Sequence, residues 1–141
     1  MLIKSIFTKS RFLTLALLVL MSLMTSANAS RTLQNCENKQ AESMSYSQCL
    51  DEVKNAVERE LQTWINNQTF ILEELESTTG KKSTLTMFKR SQSNFITFRN
   101  NNCRWQYLAV SSEANAGDTY KKCYISTSQS RIKELSTLAP E

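Results

Sequence analysis

Cys36, Cys49, Cys103 and Cys123 are the residues of this sequence whose types and spacing define a chemistry most clearly. An even set of cysteines in an oxidising compartment forms disulfides. Of the three possible pairings, Cys36 with Cys49 and Cys103 with Cys123 are favoured, because each closes a short local loop. By loop-closure entropy, such loops contribute roughly 3 kcal/mol each. A zinc site would show close cysteine pairs or interspersed histidines, and the sequence has neither. It contains no histidine at all, which removes the commonest general base and the usual partner of a serine or cysteine nucleophile. Glu73, Glu74 and Glu76 could supply paired carboxylates, but a lone charge run of this kind reads as a solvated helix face. With two glycines in the chain, no phosphate-cradling loop can be assembled. The expected protein has no catalytic residue, no metal and no cofactor, and is not an enzyme.

The oxidising compartment is indicated by the first 29 residues. Lys4, Lys9 and Arg11 give a basic start, Phe12 to Met24 an apolar run, and Ala27-Asn28-Ala29 a small-residue cleavage site, the three parts of a secretory signal. The apolar run is too short for the roughly 20 residues that span a hydrocarbon core. Cleavage would leave Ser30 as the first mature residue, where a lipoprotein would need cysteine. Residues 1–29 are thus expected as a cleavable signal and 30–141 as one domain, periplasmic or secreted and not membrane-anchored. Cleavage also changes the charge. Three of the 17 Lys and Arg lie in the signal and none of the 13 Asp and Glu do, so the mature chain carries 14 cations against 13 acids. A basic precursor would suggest a nucleic-acid partner; a near-neutral mature chain does not, and it leaves binding to local complementarity.

Those cysteines must be positioned by elements that Gly80, Gly117 and Pro140 punctuate. The first segment opens near Ser45, where Ser45 and Gln48 have capping-box spacing. Tyr46, Cys49, Val53, Val57, Leu61, Trp64, Gln68, Ile71 and Leu75 then recur every three or four residues, a helical stripe. This predicts a helix of about 30 residues ending before Gly80. The second starts at Ser83 or Thr84, with Met87, Phe88, Phe95, Ile96, Phe98 and Tyr107 at helical spacing. A polar loop from about Ser111 to Asp118 follows. The third runs from Tyr120 to Leu138, with a break expected near Ser126, since Ser126 and Gln129 form another capping-box pair. A short helix between Cys36 and Met44 would be pinned to the first long one by Cys36. The fold class is therefore all-α: a small disulfide-bonded bundle of about three main helices plus a short N-terminal one. Aromatics at this spacing, Trp64, Phe88, Phe95 and Phe98, are read as core.

With these elements in place, the sequence resembles the family of the lysozyme-inhibitor LprI-like N-terminal domain. Gln92, Phe95, Phe98, Arg99 and Cys103 follow the family's run of glutamine, aromatic, aromatic, arginine and cysteine. Cys123, Thr127, Arg131 and Leu135 resemble its closing cysteine, threonine, arginine and leucine. Cys36 and Cys49 match the opening cysteine pair, and Glu58 with Leu61 a weaker acid-leucine element. Phe95 stands where the family prefers tryptophan, and Gln62 where it prefers asparagine.

The resemblance implies a binding protein of the lysozyme-inhibitor type, whose partner is a protein such as a lysozyme and whose action is to occlude a muramidase cleft. The alternative is an envelope structural or assembly factor, or an immunity protein for another exported toxin. Arg99 and Arg131 could reach out to an acidic partner, as a cleft with two carboxylates would be. They are read instead as pairing with a carboxylate or helix-end carbonyls inside the bundle, their stems buried. Gln92 and Gln68 are read as interhelix hydrogen-bond donors.

Overall fold

The computed structural model describes residues 32–38 and 43–138, without the side chains of Ser43 and Met44; the expected signal at 1–29 lies outside the described residues. Among the described residues there are four helices and no strand: α1 (Leu33–Glu37), α2 (Ser43–Thr79), α3 (Lys82–Ala109) and α4 (Ala116–Thr137). The all-α bundle expected from the periodicity is the observed fold.

The short first helix is displaced towards the N-terminus. It starts after Thr32, whose side chain accepts from the backbone N–H of Asn35 at 3.2 Å and so satisfies one of the unpaired donors of the first turn. Ser45 does not cap α2, because that helix has already begun at Ser43. At its other end, the hydroxyls of Thr78 and Thr79 bond back to the carbonyls of Glu74 and Leu75. Gly80 then takes φ +71°, a left-handed conformation that costs a side-chain-bearing residue about 1–2 kcal/mol. From there its N–H closes on the carbonyl of Glu76 at 2.8 Å.

The chain reverses within two residues, so α2 and α3 are antiparallel. The ion pairs Glu73–Lys89 and Glu58–Arg99 record this register, one partner descending as the other rises. Another reversal through residues 110–115 sends α4 back along α3, and hence parallel to α2. No break occurs at Ser126. Its hydroxyl bonds to the carbonyl of Cys123 at 3.1 Å, within the same helix, so it neither caps nor interrupts α4. Gly117, expected in the loop, sits in the first turn of that helix.

Both disulfides join the favoured pairs, with Cα–Cα separations of 5.6 Å for Cys36–Cys49 and 5.4 Å for Cys103–Cys123. The first pins α1 to α2, and the second clamps α4 to α3. Leu50, Val53, Val57 and Leu61 of α2 interdigitate with Ile125, Ile132 and Leu135 of α4, together with Cys36, Tyr46 and Cys49. Burying each large aliphatic side chain contributes about 1.5–3 kcal/mol. The core is therefore mainly an α2–α4 core. What α3 buries is different: Leu85, Gln92, Arg99 and Cys103, a line in which the two middle members are polar.

Candidate binding face and the polar junction beneath it

Gln92 and Arg99 are seven residues apart, two helical turns, so both point from α3 into the groove between α2 and α4. A guanidinium there is tolerable only with acceptors around it. Arg99, 3 % exposed, donates through Nη1 to Glu58 Oε2 at 2.8 Å and to Ser128 Oγ at 3.0 Å. Its guanidinium carbon also lies 3.8 Å from the centroid of the Tyr124 ring, a cation–π contact. The Tyr124 hydroxyl donates to the same Glu58 oxygen at 2.6 Å. Burial and this bond to the carboxylate push the Tyr124 phenol well above its ordinary range, since ionisation would place a second negative charge beside Glu58. Glu58 itself keeps 44 % of its side chain exposed.

One layer along, Arg131 of α4 makes the second junction. It donates from Nε to Gln92 Oε1 at 3.2 Å, from Nη2 to Ser91 Oγ at 3.1 Å and from Nη1 to Glu134 Oε2 at 2.6 Å. Phe95 lies between the two arginines, its centroid 5.7 Å from the Arg99 guanidinium carbon and 5.6 Å from that of Arg131. Gln92 thus accepts across the helix interface rather than donating, and its amide nitrogen has no protein partner. Gln68 does donate, to the carbonyl of Leu135 at 3.2 Å, a last-turn carbonyl of α4 that also accepts from the Leu138 N–H.

The residues that carry the family resemblance therefore divide by direction. Gln92, Phe95, Arg99 and Arg131 build the junction, and Leu135 fills the α2–α4 core. Thr127 stands one turn after Cys123, its hydroxyl 4.0 Å from the disulfide sulfur. Phe98 alone turns outward, 59 % exposed, which corrects its reading as core. Trp105 is equally exposed at 59 %, Met87 at 60 % and Leu108 at 55 %. Steps of eleven, seven and three residues bring these four side chains onto one face of α3, opposite the buried line. Trp105 is oriented there by its indole N–H, which donates to Asn102 Oδ1 at 3.1 Å. Periodicity alone missed this face, since an apolar stripe looks the same whether it points in or out.

Charge adds to the asymmetry. α3 carries Lys82, Lys89, Arg90, Arg99 and Arg104 and no carboxylate, whereas α2 carries seven acids against Lys54 and Arg59. The near charge balance of residues 30–141 hides two helices of opposite sign. A convex helix face with aromatic anchors, flanked by Arg90 and Arg104 and with no acid on its own helix, has the composition of the centre of a protein–protein interface and suits an acidic counterpart.

Among the described residues, no helix is long and apolar enough to cross a membrane, and no group of His, Cys, Asp and Glu side chains could hold a metal ion. Compared with known protein families, the chain matches the one described as lysozyme inhibitor LprI over residues 36–135, from the first cysteine to the last core leucine. Among curated proteins and solved structures, no match was found.

Proposed function

Because the chain belongs to the lysozyme inhibitor LprI family, we propose that it is an exported protein that binds a cell-wall muramidase and blocks its cleft without doing chemistry. The family is by its description one of inhibitors rather than enzymes, and the two disulfides suit an extracytoplasmic compartment. In this reading, the signal ends at Ala29 and the mature protein, beginning at Ser30, acts in the periplasm or outside the cell.

The observation that carries the reading is the family match across all four cysteines. The outer face of α3 supplies the means. A muramidase holds two carboxylates across its cleft, and a helix presenting Phe98 and Trp105 beside Arg90, with no acid of its own, offers complementary chemistry. Arg99 and Arg131 keep that helix in place and do not themselves reach the partner.

Purified disulfide-bonded protein added to a cell-wall turbidity assay should slow clearing by at least one lysozyme type at micromolar concentration. Phe98→Ala/Trp105→Ala should lose the effect while keeping its helical spectrum. Unchanged clearing with every lysozyme type tested would sink the reading. A pull-down from envelope extract would then identify the partner of an assembly factor or immunity protein.

A further inference from the structure

At the disulfide end of the bundle, where Arg104 also borders the outer face of α3, the three long helices part to leave a cleft of about 440 Å³. Its walls are Asp51 and Lys54 from α2, Arg104 and Tyr107 from α3, and Gly117, Tyr120 and Lys121 from α4. None of these belongs to the family motif. The volume falls within the range of small-ligand sites, roughly 300–1,000 Å³.

Three cations face one carboxylate, but they are not equivalent. Lys121 is engaged: its ammonium donates to Asp51 Oδ2 at 2.7 Å and to the Ser47 hydroxyl and carbonyl at 2.8 and 3.1 Å. With Asp118 Oδ1 3.9 Å away as well, this ties the start of α4 to α2 and leaves Lys121 occupied by two carboxylates, so the charge for an anionic ligand must come from Arg104. Lys54 lies over the Tyr124 ring, 4.8 Å from its centroid. Arg104 has no hydrogen-bond or ion-pair partner among the described residues and stands exposed at the rim. Its planar fork matches the two oxygens of a carboxylate. Tyr107 and Tyr120 give flat apolar faces with polar edges, the surface on which a ring can lie. Tyr120 is held at a tilt of 39° to Tyr124, with ring centroids 6.0 Å apart. Gly117 contributes no side chain, and a Cβ there would meet open space. The Cys103–Cys123 bond beside the cleft fixes the spacing of its α3 and α4 walls.

We propose that this cleft binds a small carboxylate carried on a ring, either a sugar acid or an aromatic acid. Arg104 grips the carboxylate, and Tyr107 and Tyr120 flank the ring. The site borders the face proposed to dock a muramidase at Arg104, but its occupancy by a small acid is measured without a muramidase and does not depend on that reading.

The test is a titration of the isotopically labelled, disulfide-bonded protein followed by amide NMR shifts. One pair of probes is N-acetylmuramic acid and N-acetylglucosamine, which share a ring and differ in the lactyl ether that carries the carboxylate. The other pair is benzoate and benzyl alcohol. At least one of the acids should give saturable shifts at Tyr107, Gly117 and Tyr120, with a dissociation constant on the order of 1 mM, and neither neutral analogue should. Which acid saturates identifies the ring. Arg104→Gln, an exposed change that leaves the fold intact, should weaken binding about tenfold or more. Absence of saturable shifts with both acids, equal response to the neutral analogues, or an Arg104→Gln variant that binds as before would each overturn the proposal.

Discussion

Replacing Glu58 should destabilise the bundle more than replacing Arg99, although Arg99 is the buried member of their pair. Glu58→Ala leaves a guanidinium that is 3 % exposed without its counter-charge, an Nε that already lacks a partner, and a Tyr124 hydroxyl with no acceptor. Breaking a buried pair from one side typically costs about 3–5 kcal/mol. Because Glu58 is 44 % exposed, water can enter the vacated place, which puts the expected loss near the lower end, about 3 kcal/mol. Arg99→Met removes the charge itself. The charge-assisted bonds are lost, about 1.5–3 kcal/mol, but Glu58 is solvated, Tyr124 keeps its acceptor, and the methionine stem fills most of the space of the arginine stem. About 2 kcal/mol is expected. The double variant should therefore be more stable than Glu58→Ala alone, since the second change removes the charge that the first one stranded. Urea melts of the three variants, with linear extrapolation, measure this directly. Should Arg99→Met prove the costlier single change, or the two losses simply add, the junction would not be held by compensation of a buried charge.

The glycines should respond in opposite directions to alanine. Gly80→Ala should cost about 1 kcal/mol for its left-handed φ of +71° alone, as no atom lies near the new Cβ. Gly117→Ala, in the first turn of α4 with open space around it, should stabilise by about 0.5–1 kcal/mol; thermal melts read both. The disulfides close separations of 13 and 20 residues, which loop-closure entropy hardly distinguishes, at about 3 kcal/mol each. Yet Cys36→Ser/Cys49→Ser should cost less than Cys103→Ser/Cys123→Ser, because α1 has five residues and can fray without opening the bundle. Non-reducing denaturant melts should show that order, and equal losses would argue against independent fraying of α1. Tyr124 is protonated more readily folded than unfolded, so its contribution is complete below the ordinary phenol value of about 10 and lost as pH rises above it. Alkaline stability curves should steepen there, and Tyr124→Phe should flatten them.

How far the fold could be read depended on what each helix buries. On α2 the buried face is apolar except for Gln68, and Tyr46, Cys49, Val53, Val57 and Leu61 all point to the core as their spacing predicts. Leu50 falls outside the three-or-four-residue recurrence yet is fully buried, because a core-facing stripe is wide enough for both it and Cys49. On α3 the rule that apolar means inside failed. Its inward line runs through Gln92 and Arg99, whose burial depends on Glu58, Ser128 and Arg131 from other helices, partners that no local pattern reveals. Phe98, read as core from its spacing, accordingly lies outward, as does Met87 of the same apolar series. Ser126 was misread for a similar reason, since a serine that bonds within its own helix has the same sequence signature as one that caps the next. The cleft left no signal at all, because Lys54, Arg104 and Tyr120 come from three helices with no common spacing.

The first cysteine is bonded to the second and the third to the fourth, and under the proposed export this has a consequence for how the protein would mature. Chains are synthesised from the N-terminus, and a chain threaded through a membrane in the same order delivers Cys36 and then Cys49 before Cys103 arrives on the far side. The first two thiols meet while they are the only candidates, and Cys123 later finds Cys103 as the only thiol left unbonded. If the chain is exported as proposed, arrival order would select the native connectivity from the three possible ones, and an oxidant alone should suffice. Reshuffling by an isomerase, which otherwise takes seconds to hours, becomes necessary only for chains that are oxidised after release.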